Sequence, residues 1–232
     1  MISEAVRLNN ESVMYLQKGN PLEAFHLLSM ASELVAGNTR LQQQSQKGKG
    51  FHVPFHYSWA KLASPSFNGY LNLARSFDDG SSMSPYLQAL HVCLPWHAWN
   101  SKKYGGNGVC SCGIAWVLWY NEAIVCIILG LTLGGHFGNQ YLKRAHELFE
   151  LVMNRVGGRS QNCKDWITLK MAILNNQGCI LQELSQFEEA KACLEQLKTA
   201  FLENPIQPNS HEWNIFCMNL ALIRPSNAAS AA

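Results

Sequence analysis

The sequence predicts an all-α fold of antiparallel helical hairpins, interrupted by one long irregular insertion. Three observations lead there. Residues 171–203 place apolar side chains at three- and four-residue steps on both sides of a short polar break. Residues 5–36 repeat that pattern, with a paired asparagine and then an alanine twelve residues beyond a small residue. Residues 116–156 carry a longer third version.

Taken in order, the first hairpin occupies residues 1–36. Gly19-Asn20-Pro21 reads as its turn, because proline is tolerated in the first turn of the helix it precedes. Residues 37–113 form the insertion. It opens on a polar run, Gln42-Gln43-Gln44 to Lys49-Gly50, with too little apolar surface to order itself. Within it, Tyr86 to Leu94 has the aromatic and β-branched character of a short strand. Pairing with Gly108 to Val117 across Gly105-Gly106-Asn107-Gly108 would make a β-hairpin. A loop of this length inside a compact domain is normally functional or disordered.

Two further hairpins are predicted over 114–203. In the first, Leu142, Ala145, Leu148, Phe149 and Val152 set the stripe of its second helix, Tyr141 to Val156. Ala145 lies twenty-two residues after Ala123, which predicts a turn enlarged by about ten residues through Gly134 to Asn139. The last hairpin breaks at Ser185-Gln186 and resumes with Phe187, Ala190, Leu194, Leu197 and Phe201. Glu188 and Glu189 suit the positive end of that helix, and Asn204-Pro205 stops it. Gly178 and Ala190 are small enough to let two backbones approach. Ser210 can cap a closing helix, Glu212 to Ile223, within a predicted capping segment of residues 204–223. Residues 224–232 read as a tail.

These residues carry a resemblance. Gly178 with Leu174 and Leu181 beside it, Phe187 after the turn, Ala190 and Leu194 resemble the pattern of a tetratricopeptide repeat. Tyr15, Gly19, Ala24, Leu28 and Ala31 match the same slots in residues 5–36. The third copy resembles the others through Trp119-Tyr120-Asn121-Glu122-Ala123. Glu11, Glu122 and Gln177 stand where that family usually has leucine, a departure the three copies share.

The resemblance implies a solenoid of stacked hairpins whose first helices line a concave groove. Asn10, Asn121 and Asn176 occupy one place in each first helix, where an amide can donate to and accept from an extended peptide backbone. Neighbouring groove positions are Asn9, Val13, Tyr120, Ile124, Asn175, Cys179 and Gln182. The competing reading is that these asparagines only brace helix packing, since buried amides find partners in any case. The family's clamp for C-terminal carboxylates needs cations, but Val6, Val117 and Ala172 occupy those places, so that ligand is not implied.

Composition narrows the function classes. A net charge of +2, from 18 basic and 16 acidic residues without a basic stripe, argues against nucleic acid. Met1-Ile2-Ser3-Glu4 lacks a basic region followed by an apolar one, so no signal peptide is expected. Cys126, Cys179, Cys193 and Cys217 fall among aliphatic helix neighbours, as reduced thiols do in the cytoplasm or nucleus. The expected protein is a non-enzymatic scaffold for a peptide or protein partner, needing no cofactor and open to self-association.

Two sharper alternatives have specific residues behind them. Residues 113–135 could anchor an adaptor in a membrane, with Gly130, Gly134 and Gly138 at the spacing of a helix-dimer motif. Glu122 would then lie near the bilayer centre, at a cost of about 3 kcal/mol, so a buried repeat helix is the preferred reading. His91, Cys93, His97, Cys110 and Cys112 are soft ligands in one stretch, but Cys-x-Cys is tighter than structural zinc sites use. Ser111 lacks the spacing of a nucleophile elbow, and Gly105 to Gly108 lacks the Gly-Lys-Ser/Thr of a phosphate loop.

Overall fold

The computed structural model describes residues 2–45, 56–62, 87–93, 111–156, 164–204 and 211–221. Most of them are helical. Helices α1 (Ile2–Gln17), α2 (Pro21–Ser45), α3 (Ser111–Leu133) and α4 (Gly135–Val156) belong to one compact unit, with strands β1 (His56–Lys61) and β2 (Gln88–Cys93). Helices α5 (Lys164–Glu183), α6 (Phe187–Glu203) and α7 (His211–Ala221) belong to a second.

In the first unit, α1 buries Ala5, Val6, Leu8, Val13 and Leu16 along one stripe, with Asn9 and Ser12 inside it. Its outer face carries Arg7, paired to Glu4 at 2.7 Å and Glu11 at 2.6 Å. Helix α1 ends with Gly19 at φ 77°, where the Asn20 N–H reaches Tyr15 O and the Gly19 N–H reaches Leu16 O. That pair of bonds satisfies carbonyls the helix end would otherwise leave open. Asn20 then caps α2, its Oδ1 accepting the Glu23 N–H at 3.3 Å, with Pro21 as the first helical residue. Helix α2 continues to Ser45, through the three glutamines expected to be irregular. Only residues 46–50 of that polar run lie outside the described residues.

Helix α3 is the centre of this unit. It packs on α1, α2, α4 and β2, and residues 120–130 are all buried. Its near-continuous apolar sequence is what contact on several sides demands. Helix α4 buries Leu142, Ala145, Leu148, Phe149 and Val152, the five residues its periodicity picks out. The enlarged turn between them does not form. Only Gly134 separates α3 from α4, and Gly134 and Gly135 take φ 62° and 54°. The extra residues lengthen the helices, to 23 and 22 residues, instead of looping out.

The glycine spacing has a local purpose here. A Cβ on Gly138 would collide with the Gly130 carbonyl oxygen, and one on Gly130 would lie 2.7 Å from Leu142 Cγ. The helices cross at glycines because only glycine lets their backbones meet. Residues 114–133 are long and apolar enough to span a bilayer, and 89% of their most apolar window is buried inside the protein.

Strand β2 lies within the stretch predicted to be extended, but its partner differs. It pairs antiparallel with β1, with Trp59 opposite Leu90. Residues 111–117, expected on the partner strand, are the first two turns of α3. The apolar run Gly113 to Val117 continues into a helical stretch of more than twenty residues, so its length decides for helix.

In the second unit α5 and α6 pack as an antiparallel pair. Ala190, Leu194, Leu197 and Ala200 form the inner stripe of α6. Phe187, expected in that stripe, is 63% exposed at the first helical residue. Gly178 sits where a Cβ would lie 2.9 Å from Leu194 Cδ2, so the predicted close approach is made. The turn copies the first hairpin: the Gln186 N–H reaches Leu181 O, the Ser185 N–H reaches Gln182 O, and Ser185 takes φ 60°. A side chain in that conformation is strained. Ser185→Gly is therefore expected to stabilise the protein by about 0.5–1 kcal/mol, read as a higher urea midpoint at unchanged slope.

Helix α7 buries Phe216 and Asn219, with Trp213, Cys217 and Leu220 half-buried. It begins at His211, and the expected cap Ser210 lies outside the described residues.

Candidate functional site

The first unit brings two asparagines from different helices onto one extended residue. Asn9 comes from the buried stripe of α1 and Asn121 from the middle of α3, both fully buried. The Leu90 N–H donates to Asn121 Oδ1 at 2.7 Å. Asn121 Nδ2 donates to Leu90 O at 2.9 Å, so one amide serves both polar groups of one backbone residue. Its second proton goes to Asn9 Oδ1 at 2.8 Å. Asn9 Nδ2 donates to Leu90 O at 3.0 Å and to Asn10 Oδ1 at 3.2 Å. Every donor and acceptor of the two amides is thereby used.

The strand register explains why Leu90 is available. Its N–H and C=O both point to α1 and α3, so the Trp59–Leu90 pair is a non-hydrogen-bonded position of the ladder. The asparagines complete a strand edge that would otherwise be buried without partners. Ala89 and Leu90 are fully buried and Gln88 is 2% exposed. Among the described residues, Gln88 Nε2 has no hydrogen-bond partner.

A second polar group begins at the next residue of α3, about 100° around the helix from Asn121. Glu122, 7% exposed, pairs with the half-exposed Arg144 of α4 at 3.2 Å. Below it, burial and the Glu122 carboxylate push the Cys126 thiol well above its ordinary range, with Arg144 opposing more weakly. A thiol held protonated and buried does not react. Cys126 is expected to stay unmodified by a maleimide in the native protein and to be labelled only in denaturant, as peptide mass spectrometry would show. Rapid native labelling at Cys126 would contradict this packing.

In the second unit, Asn219 of α7 donates to Asn175 Oδ1 of α5 at 2.7 Å. Asn175 Nδ2 approaches Asn176 Oδ1 at 3.5 Å and Cys179 Sγ at 3.9 Å. Here a helix of the same chain, and not a strand, lies on the paired asparagines.

The expected groove residues fall into these two settings. Asn9, Asn10, Val13, Tyr120, Asn121 and Ile124 belong to the first unit; Asn175, Asn176, Cys179 and Gln182 belong to the second. Asn10 and Gln182 are half-buried and the others are buried. Tyr120 packs on Phe149, ring centroids 5.8 Å apart, and Val13 and Ile124 are core residues. The sequence alignment equates Asn10 with Asn121, yet Asn9 and Asn121 meet, because one residue is a 100° rotation of a helix. Leu90, Gln88 and Asn219 carried no sequence signal beyond a strand and a helix. Of the soft ligands, His91 and Cys93 lie on β2 and Cys112 in the first turn of α3, while His97 and Cys110 lie outside the described residues.

Comparison with protein-family models, curated proteins and solved structures finds no match to this chain.

Proposed function

We propose that this chain is a non-enzymatic interaction scaffold, built of tetratricopeptide-like helical hairpins, that holds an extended segment of a peptide or protein partner by its backbone. The observation that carries the reading is Asn121, whose single amide binds both the N–H and the C=O of one extended residue. Such contacts are indifferent to the side chain they hold, and burial of the neighbouring side chains, as at Ala89 and Leu90, supplies selectivity. The two asparagines stand on helices, which keeps the amides in place.

The test is detergent-free affinity capture with Leu90→Asp, which keeps the chain's own strand out of the site, beside the same protein carrying Asn9→Ala as well, with circular dichroism to confirm that both are folded. Asn9→Ala removes one bond to Leu90 O and leaves that oxygen bonded to Asn121. Loss of one such bond is expected to weaken a partner about tenfold. Equal recovery by a folded variant would overturn the backbone-holding reading.

A further inference from the structure

Resting on the scaffold reading, we propose that β2 is a built-in occupant of the Asn9–Asn121 site. When β2 leaves, the site takes in trans an extended peptide of the form apolar–small–leucine.

The occupant's own residues define that chemistry. The leucine is set by Leu90, which is fully buried while the amides hold its backbone. The small residue is set by Ala89, also fully buried. The apolar residue follows from a misfit. Gln88 is 2% exposed, yet its Nε2 meets no acceptor among the described residues. A buried donor without a partner opposes docking, and an apolar side chain of similar length would not. The built-in strand thus carries one misfit in an otherwise buried and hydrogen-bonded seat. A free strand with methionine or leucine at the Gln88 position makes the same backbone bonds without the misfit.

Regulation follows from the same geometry. Asn121 Oδ1 accepts from one N–H and the two amides donate to one carbonyl oxygen, so β2 and an incoming strand compete for one place. Any change that loosens β2 opens the site. Any change that improves its fit closes it. The apparent affinity for a free peptide scales with the fraction of molecules in which β2 is undocked.

The test uses the full chain and two labelled nonapeptides, followed by fluorescence anisotropy. One copies residues 86–94 with serine in place of Cys93; the other also carries methionine at the Gln88 position. The methionine peptide is expected to bind about tenfold more tightly than the first. Within the protein, Leu90→Asp places a charge where β2 must be buried and is expected to raise affinity for both peptides at least tenfold. Gln88→Met in the protein improves the built-in strand and is expected to weaken both peptides by a similar factor, with a higher urea midpoint. That second variant keeps the test valid if Leu90→Asp fails to fold. Peptide affinity unchanged by Gln88→Met, or equal affinity for the two peptides, would overturn the inference. If neither peptide binds but an Asn9-dependent partner is still captured, the built-in-occupant inference falls and the scaffold stands. If capture is also independent of Asn9, both fall.

Discussion

Gly138→Ala is expected to destabilise the first unit by about 2–3 kcal/mol, although glycine to alanine within a helix normally gains about 1 kcal/mol. The reversal comes from what the new methyl group meets. At Gly138 it meets the carbonyl oxygen of Gly130, which belongs to the backbone of α3 and cannot swing aside. Relief requires α3 and α4 to separate, and their contact includes Leu142, Ala145, Leu148 and Phe149, all buried. A control sits in the second unit. At Gly178 the methyl group meets Leu194 Cδ2 at 2.9 Å and Cγ at 3.0 Å, a side chain that can change its rotamer. Gly178→Ala is expected to stay within about 1 kcal/mol of wild type, since overpacking and helix propensity oppose each other there. Hydrogen exchange of the amides of α3 and α4, measured across urea concentrations, would separate the two. A Gly138→Ala protein as stable as wild type would mean that the helices do not cross at these glycines.

The same crossing shows where sequence reasoning reached its limit. The stripe of α4 could be read in full because periodicity reports which face is buried. It does not report where a helix starts, and Gly134-Gly135-His136-Phe137-Gly138 looked like a loop because glycines usually punctuate. Here Gly134 and Gly135 make the turn, while Gly138 belongs inside a helix whose partner backbone excludes a side chain. The regular hairpins were easier. Gly19 and the strained Ser185 close their first helices by the same two bonds, and both breaks were visible from turn residues alone.

Strand β2 was half legible. Its composition marked an extended segment, but its partner β1 precedes it by more than twenty residues, and nothing in the order of residues specifies that register. The glycine run after β2 suggested a nearer partner that proved helical. The buried asparagines posed the opposite difficulty. Their recurrence was plain, and both readings of them assigned a hydrogen-bonding role. What they bond could not be read, because Asn9, Leu90 and Asn121 meet only through tertiary structure. Asn175 makes the point again: it meets Asn219, forty-four residues away on α7.

Asn121→Ala is expected to cost about 3–4 kcal/mol, roughly twice Asn9→Ala, although both remove one buried asparagine. The difference lies in what each leaves behind. Without Asn121, the Leu90 N–H loses its acceptor and Asn9 Oδ1 loses its donor, while a cavity opens beside α3. Without Asn9, Leu90 keeps both contacts to Asn121. Asn121→Asp separates hydrogen bonding from volume. It keeps an acceptor for the Leu90 N–H but turns its other oxygen toward Leu90 O and Asn9 Oδ1. A protonated carboxyl can donate there and a carboxylate cannot, so the folded state holds the proton and raises that group's pKa above its unfolded value of about 3.9. The variant is therefore most stable below the unfolded pKa and loses stability as pH rises through the folded one. Urea midpoints of the three variants across that range supply the measurement. Equal costs for Asn9→Ala and Asn121→Ala, or an Asn121→Asp protein that gains stability over the same rise in pH relative to wild type, would show that Asn121 does not hold Leu90 by its amide.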